Sequence, residues 1–226
     1  MSYDLLTSAA FAIQKGLLLT LTITFSSFFL GQILTLPVAI ALVSRSWWLR
    51  SIAKFYTFCL RGSPLLVQLF VVYYGLGQID AIRHSVFWPI VRSATYCSIF
   101  AIGINSAAYC AEVLAGAIRN LPKGQWEASD SLGLSRFARL SKITLPQAYR
   151  AIFPSISNEL ILVMKSSTLA SAVTVVEMTG AARIFVAKSY APFEPFLIVG
   201  LAYLTIGAAL GFLGKRIERR LMIPAR

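Results

Sequence analysis

The stretch GLLLTLTITFSSFFLGQILTLPVAIALVS, residues 16–44, contains no charged residue. A helix crossing roughly 30 Å of hydrocarbon takes about 20 apolar residues, so this run is long enough by itself. Lipid offers the backbone no hydrogen-bond partner, which leaves helices or a closed barrel, and an apolar run without strand alternation selects the helix. Charge-free windows recur at 62–79, 93–111 and 195–214, and one more, fourth in chain order at 151–176, is interrupted only by Glu159 and Lys165. The expectation is an all-α membrane protein with five transmembrane helices.

Bulk composition agrees. Of 226 residues, 57% are hydrophobic and 13% charged, and the mean hydropathy is +0.71, too apolar for an ordinary soluble domain. The net charge of +12 raises the question of a nucleic-acid partner. Position answers it. Arg45, Arg50, Lys54 and Arg61 follow the first window; Arg119, Lys123, Arg136, Arg139, Lys142 and Arg150 follow the third; Lys215, Arg216, Arg219, Arg220 and Arg226 follow the fifth. The opposite ends hold Lys15, Arg83, Arg92, Arg183 and Lys188, so 15 basic residues stand against 5. Cytoplasmic loops are the ones enriched in Lys and Arg. The N-terminus is therefore expected outside and the C-terminus inside, and no nucleic-acid partner is required to explain the charge.

The start, MSYDLLTSAAFAIQKG, carries an acid where a signal peptide has basic residues, so no cleaved signal is expected. Cys59, Cys97 and Cys110 lack C-x-x-C spacing and read as small apolar side chains. His84 is the one histidine, which excludes a multi-histidine metal site. The nearest approach to a phosphate loop, GAALGFLGKR at 207–216, fails the template at Ala209 and Arg216. No catalytic residue, metal or cofactor is expected, and the chain is not expected to hydrolyse ATP. The same stretch holds Gly207 and Gly211 at the small-residue spacing that lets membrane helices approach closely.

The most polar segment, residues 118–149, lies on the basic side between the third and fourth windows. A connection of that length is usually functional. Trp126, Leu132, Leu134, Phe137 and Leu140 are spaced as two short surface helices, with Gly133 where one should stop and Pro146 in the first turn of the next span. The fourth window also carries a polar line. Asn158 and Lys165 are seven apart and fall on one helix face with Ser155 and Thr168 nearby.

These residues resemble a known family. Glu127-Ala128-Ser129, three residues, Gly133, nine residues and Ile143-x-Leu145-Pro146 is similar to the E-A-A-x-x-x-G-x9-I-x-L-P loop of ABC-importer permease subunits, departing from it at Ser129. RGSPLLVQ (61–68), AAYCAE (107–112), PKGQ (122–125), and NE (158–159) followed by KSSTL (165–169) resemble stretches of the polar amino acid branch, in particular the histidine/arginine/ornithine and octopine/nopaline permeases.

The resemblance implies the type I ABC importer permease fold in a bacterial inner membrane. It implies a periplasmic segment at 1–15, a transport domain over 16–214 with a coupling loop at about 118–149, and a basic cytoplasmic tail at 215–226. The implied partners are two ATP-binding cassette ATPase subunits, a second identical or homologous permease subunit, a periplasmic solute-binding protein and the lipid bilayer. Glu127, Ala128, Ser129, Gly133, Ile143, Leu145 and Pro146 become the ATPase-coupling residues. Asn158, Lys165, Ser166, Thr168 and Glu177 become candidates for the solute path. Lys165 has two readings, a solute carboxylate or an ion pair with Glu112 or Glu159; Glu177 has two, a solute amine or a solvent-facing helix end. Arg61 and Glu112, expected near the inner surface, and Glu159 are assigned structural or gating roles. An ion-coupled secondary amino acid carrier is the alternative, though five spans show no inverted repeat.

Overall fold

The computed structural model describes residues 3–221, and among them every regular element is helical. In chain order the helices are α1 (Tyr3–Val43), α2 (Trp47–Gly62), α3 (Leu65–Phe70), the short α4 (Asp80–Arg83) and α5 (Trp88–Val91), α6 (Ala94–Arg119), α7 (Lys123–Ser131), α8 (Arg136–Arg139), α9 (Leu145–Ser166), α10 (Met178–Ser189) and α11 (Phe193–Leu221). Three are long and apolar enough to cross a membrane singly: α1 over Leu6–Val43, α6 and α11. Two further crossings exist if each bent pair counts as one span: α2 with Leu65–Gly75, bent by 106°, and Arg136–Val173 with α10, bent by 45°.

The packing of α1 inverts that of a water-soluble helix. Its buried stripe, spaced by three or four residues, includes Ala9, Ile13, Thr20, Thr24, Ser27, Thr35 and Ala39, whereas Phe11, Leu18, Phe29 and Ile33 are exposed. Between helices in lipid, close van der Waals contact of small residues replaces the hydrophobic drive, so bulk faces outward. Thr20, Thr24 and Thr35 donate to the carbonyls four residues back, at 3.1, 2.8 and 2.8 Å, which lets these hydroxyls sit in an apolar helix contact. Opposite them α6 buries Ala101, Ala107, Ala108, Ala111 and Ala115. The two helices cross so closely that a Cβ on Gly103 would lie 3.1 Å from the Ser27 carbonyl oxygen.

Three apolar clusters run along this axis. At one end Leu42, Leu114, Ile118 and Ile152 join α1, α6 and α9; in the middle Ile23, Leu69, Ile102 and Val163 bring in α3; at the other end Ile13, Met178, Ala182 and Val199 join α1, α10 and α11. The α11 helix lies on α9 through small residues. Gly207 faces Met164, Gly211 faces Ile161 and Gly214 faces Ser157, which is where the Gly207–Gly211 spacing finds its use.

Several expectations need correction. The window 62–79 does not form one straight helix: α2, which carries Arg50, Lys54 and Arg61, ends at Gly62, the chain breaks at Ser63-Pro64, and helix resumes from Leu65 to Gly75. Proline lacks the N–H a continuing helix needs, and the residue before it is driven to extended backbone; Ser63 has φ −116° and ψ 149°. The first helix does not begin at Gly16 but is continuous from Tyr3, so Lys15 lies inside it. The α11 helix continues through Lys215–Arg220 to Leu221, and Arg226 with the rest of the expected tail falls outside the described residues.

Candidate functional site

The polar segment forms an elbow. Its first arm, α7, ends in a paired turn: Leu134 N–H donates to the Ser129 carbonyl at 3.1 Å and Gly133 N–H to the Asp130 carbonyl at 3.0 Å. That pattern needs a left-handed residue after the helix, and Gly133 supplies it with φ 65°. Ser135 then caps α8, its hydroxyl accepting from Ala138 N–H at 3.2 Å.

From Arg136 the helix does not stop before Pro146, as the sequence had indicated. It runs on into α9 through a π-turn over Leu140–Thr144, in which Leu145 N–H reaches back to the Leu140 carbonyl. The wider turn removes the clash between the ring of Pro146 and the preceding turn. The elbow and the fourth span are therefore one continuous helix beyond Gly133.

Across that turn the arms are joined by side chains. Arg139 forms an ion pair with Asp130, and its guanidinium lies 4.9 Å from the centre of the Trp126 ring. Gln147 on α9 donates to Gln125 Oε1 at 3.3 Å. Among the residues expected to couple, Glu127, Ala128, Gly133 and Pro146 are exposed, Ile143 and Leu145 are half-buried, and Ser129 is 1% exposed with its hydroxyl donating to the Trp126 carbonyl. Leu132 and Phe137, 75% and 78% exposed, add apolar surface to the elbow.

The second feature is a pair of cavities between α6 and α9. One, of about 450 Å³, is lined by Tyr109, Cys110, Ser155, Asn158 and Glu159 among others. The other, of about 260 Å³, is lined by Asn105, Ser106, Tyr109, Glu159 and Ser166. Tyr109 and Glu159 belong to both. A carboxylate inside a membrane domain ordinarily faces a cavity or a partner, and Glu159 has the cavity.

Beside this pair of cavities stands the bent α2–α3 pair. Its break exposes carbonyls that two amides satisfy: Gln68 Nε2 lies 2.7 Å from the Leu60 oxygen and 3.0 Å from that of Ser63, and Asn105 Nδ2 lies 2.9 Å from Leu60 and 3.1 Å from Gln68 Oε1. Sequence reasoning met Gln68 only as the last residue of RGSPLLVQ and did not reach Asn105; for Gln68, an amide four residues after a proline within an apolar run was the available signal. Arg61 and Glu112, expected near the inner surface, lie 3.8 Å apart as an ion pair. Arg61 lies one residue inside the break, its guanidinium 5.3 Å from the Tyr109 ring centre. Glu112 accepts from Thr57 at 2.8 Å, seven residues or about 10 Å within the end of α6.

The solute-path candidates separate. Asn158 and Ser166 line the cavities. Lys165 is exposed on the face shared by Ser155 and Asn158 and pairs with neither Glu112 nor Glu159; among the described residues the ion pairs are Arg61–Glu112 and Arg139–Asp130. Thr168 turns its hydroxyl to the Lys165 carbonyl at 2.8 Å. Glu177 corrects both of its readings: it is 0% exposed and caps α10, accepting from Thr179 and Gly180 N–H at 2.9 Å, from Tyr203 at 2.7 Å and from Thr20 at 3.4 Å. Gly16 makes room for this joint, since a Cβ there would lie 2.5 Å from the Glu177 carbonyl carbon.

Comparison with known proteins follows the same lines. The chain is 42% identical over 207 residues to the octopine transport system permease protein of Rhizobium meliloti, covering 92% of this chain and 84% of that one. It is 36% identical over 206 residues to the histidine/lysine/arginine/ornithine transport system permease protein of Salmonella typhimurium, covering 91% and 88%. Its fold matches a crystal structure of an amino acid ABC transporter with histidines at TM-score 0.84 and 31% identity, over 97% of this chain and 100% of that one. These likenesses give no support to an ion-coupled carrier. Residues 33–223 match the family described as the binding-protein-dependent transport system inner membrane component, and the chain belongs to that family, as an ABC-importer permease subunit of its polar amino acid branch.

Proposed function

We propose that this chain is the five-span permease subunit of an ATP-driven importer that carries a polar, basic amino acid or an opine across the bacterial inner membrane. Residues 16–214 form the transport domain, with 1–15 toward the periplasm and 215–226 a cytoplasmic tail. Two ATPase subunits dock on the elbow, a second permease subunit completes the path, and a periplasmic binding protein delivers the solute. The chain itself performs no catalysis.

The observation that carries this reading is the continuity of the elbow with α9. Glu127, Ala128, Leu132 and Phe137 offer an exposed charged and apolar surface to a soluble motor, and the helix leaving that surface at Arg136 runs unbroken to Asn158, Glu159 and Ser166 at the cavities. Motion imposed on the elbow is delivered to the cavity wall. The relatives named for octopine and for histidine, lysine, arginine and ornithine support a solute bearing amine or guanidinium groups, for which Glu159 is the fitting counter-charge.

The test is reconstitution with the ATPase and binding-protein partners in vesicles. Glu127→Ala and Gly133→Val are expected to leave the permease inserted while lowering solute-stimulated ATP hydrolysis. Stimulation equal to that of the unaltered permease would remove the elbow from the coupling role.

A further inference from the structure

On the face of the elbow turned toward the transmembrane helices, a cleft of about 580 Å³ separates α7 and α8 from the end of α1. Its walls carry three guanidiniums, Arg45, Arg136 and Arg139, against one carboxylate, Asp130, with Trp126 beside them. Asp130 is committed to Arg139. The guanidiniums of Arg45 and Arg136 have no ion pair and no hydrogen bond among the described residues, so the cleft holds two uncompensated positive charges.

We propose that this cleft binds the phosphate of an anionic phospholipid headgroup. Guanidinium presents a planar fork of N–H donors that matches phosphate oxygens, and two such forks at one cleft select an anion with several acceptors. The surroundings point to the lipid as its source. Arg45 is followed, after Ser46, by Trp47 and Trp48, 58% and 70% exposed, and then by Leu49, Ile52, Phe55 and Phe58, all exposed along α2. Indoles and an amphipathic helix of this kind lie at the headgroup level of a bilayer.

The site is compatible with a motor on the elbow. Trp126 and Asp130, four residues apart, share the face of α7 that lines the cleft, while Glu127 and Ala128 are exposed around the helix from it. A headgroup held here bridges the end of α1 and the elbow, and ties the elbow's resting position to the composition of the membrane.

The full chain, reconstituted in bilayers of phosphatidylglycerol or phosphatidylcholine and released gently into detergent, is examined by native mass spectrometry for retained lipid. Phosphatidylglycerol should be retained in preference to phosphatidylcholine. Arg45→Gln and Arg136→Gln should each weaken retention about fivefold, and a Lys215→Gln/Arg219→Gln control, which removes two positive charges elsewhere, should not. Arg45 lies in the linker between α1 and α2, so its variant remains informative if Arg136→Gln fails to fold. Equal retention by all variants, or of both lipids, overturns the proposal. So does thermal protection of the wild type by inorganic phosphate in phosphatidylcholine bilayers that is lost in Arg45→Gln, since the ligand is then a soluble phosphate. A cross-link from Arg45→Cys to an ATPase subunit in place of lipid overturns it as well.

Discussion

Arg139 on α8 reaches back across the Gly133 turn to pair with Asp130 on α7, and in doing so lies over the Trp126 ring. Two helices that would otherwise swing about a single glycine are held as one body. Asp130 is largely exposed, so the pair adds at most about 1 kcal/mol to stability. Its effect should appear in transmission. Asp130→Asn is expected to leave expression and melting temperature within a degree or two and to lower solute-stimulated ATP hydrolysis several-fold. The exchange Asp130→Arg with Arg139→Asp should restore part of the loss. Full stimulation in Asp130→Asn would show that the glycine turn is rigid without the pair.

Gly133 has φ 65°, where a side chain is strained by roughly 1 kcal/mol or more. Gly133→Asn, which tolerates left-handed backbone, should retain more coupling than Gly133→Val. Ranked ATP-hydrolysis stimulation across glycine, asparagine, alanine and valine measures this. An order following side-chain size alone would point to a docking clash, because nothing lies within 4 Å of the position a Cβ would take.

The break between α2 and α3 should depend on its two amides. Gln68→Leu removes the donor within reach of the Leu60 and Ser63 carbonyls, and a buried unsatisfied carbonyl costs about 1–3 kcal/mol. A lower melting temperature in detergent is the expected result, with Asn105→Leu giving a smaller drop because Gln68 still serves Leu60. Unchanged melting would mean that water replaces the amide.

Glu177 should behave as a structural joint. Glu177→Ala leaves the Thr179 and Gly180 N–H groups and the Tyr203 hydroxyl without their acceptor, and is expected to destabilise by about 2–5 kcal/mol. Glu177→Gln keeps one acceptor oxygen but turns an NH2 group toward the remaining donor, and should recover only part of this. Glu159→Gln, in contrast, should leave the melting temperature nearly unchanged and weaken uptake of basic solutes. If Glu177→Gln alters solute selectivity in uptake competition while Glu159→Gln does not, the two roles are reversed.

Much of this molecule was legible in the chain itself, because lipid simplifies the physics. The charge-free run 16–44 had to be a helix, since the bilayer supplies the backbone with no partner. The residue at the end of α7 had to be able to turn left-handed, and Gly133 could. The resemblance of the elbow residues led to the family that residues 33–223 match.

Tertiary structure decided what depends on bends and on meetings between distant residues. Pro64 announced an interruption, but the 106° angle follows from where Gln68 and Asn105 could satisfy the freed carbonyls. Glu177 looked like a charge at a helix end open to solute or solvent. Its partners Thr20 and Tyr203 lie 157 and 26 residues away, and only packing of α1 and α11 around α10 brought them to one carboxylate. Composition and spacing act locally along the chain; which polar groups meet in a low-dielectric interior is set by how the helices cross.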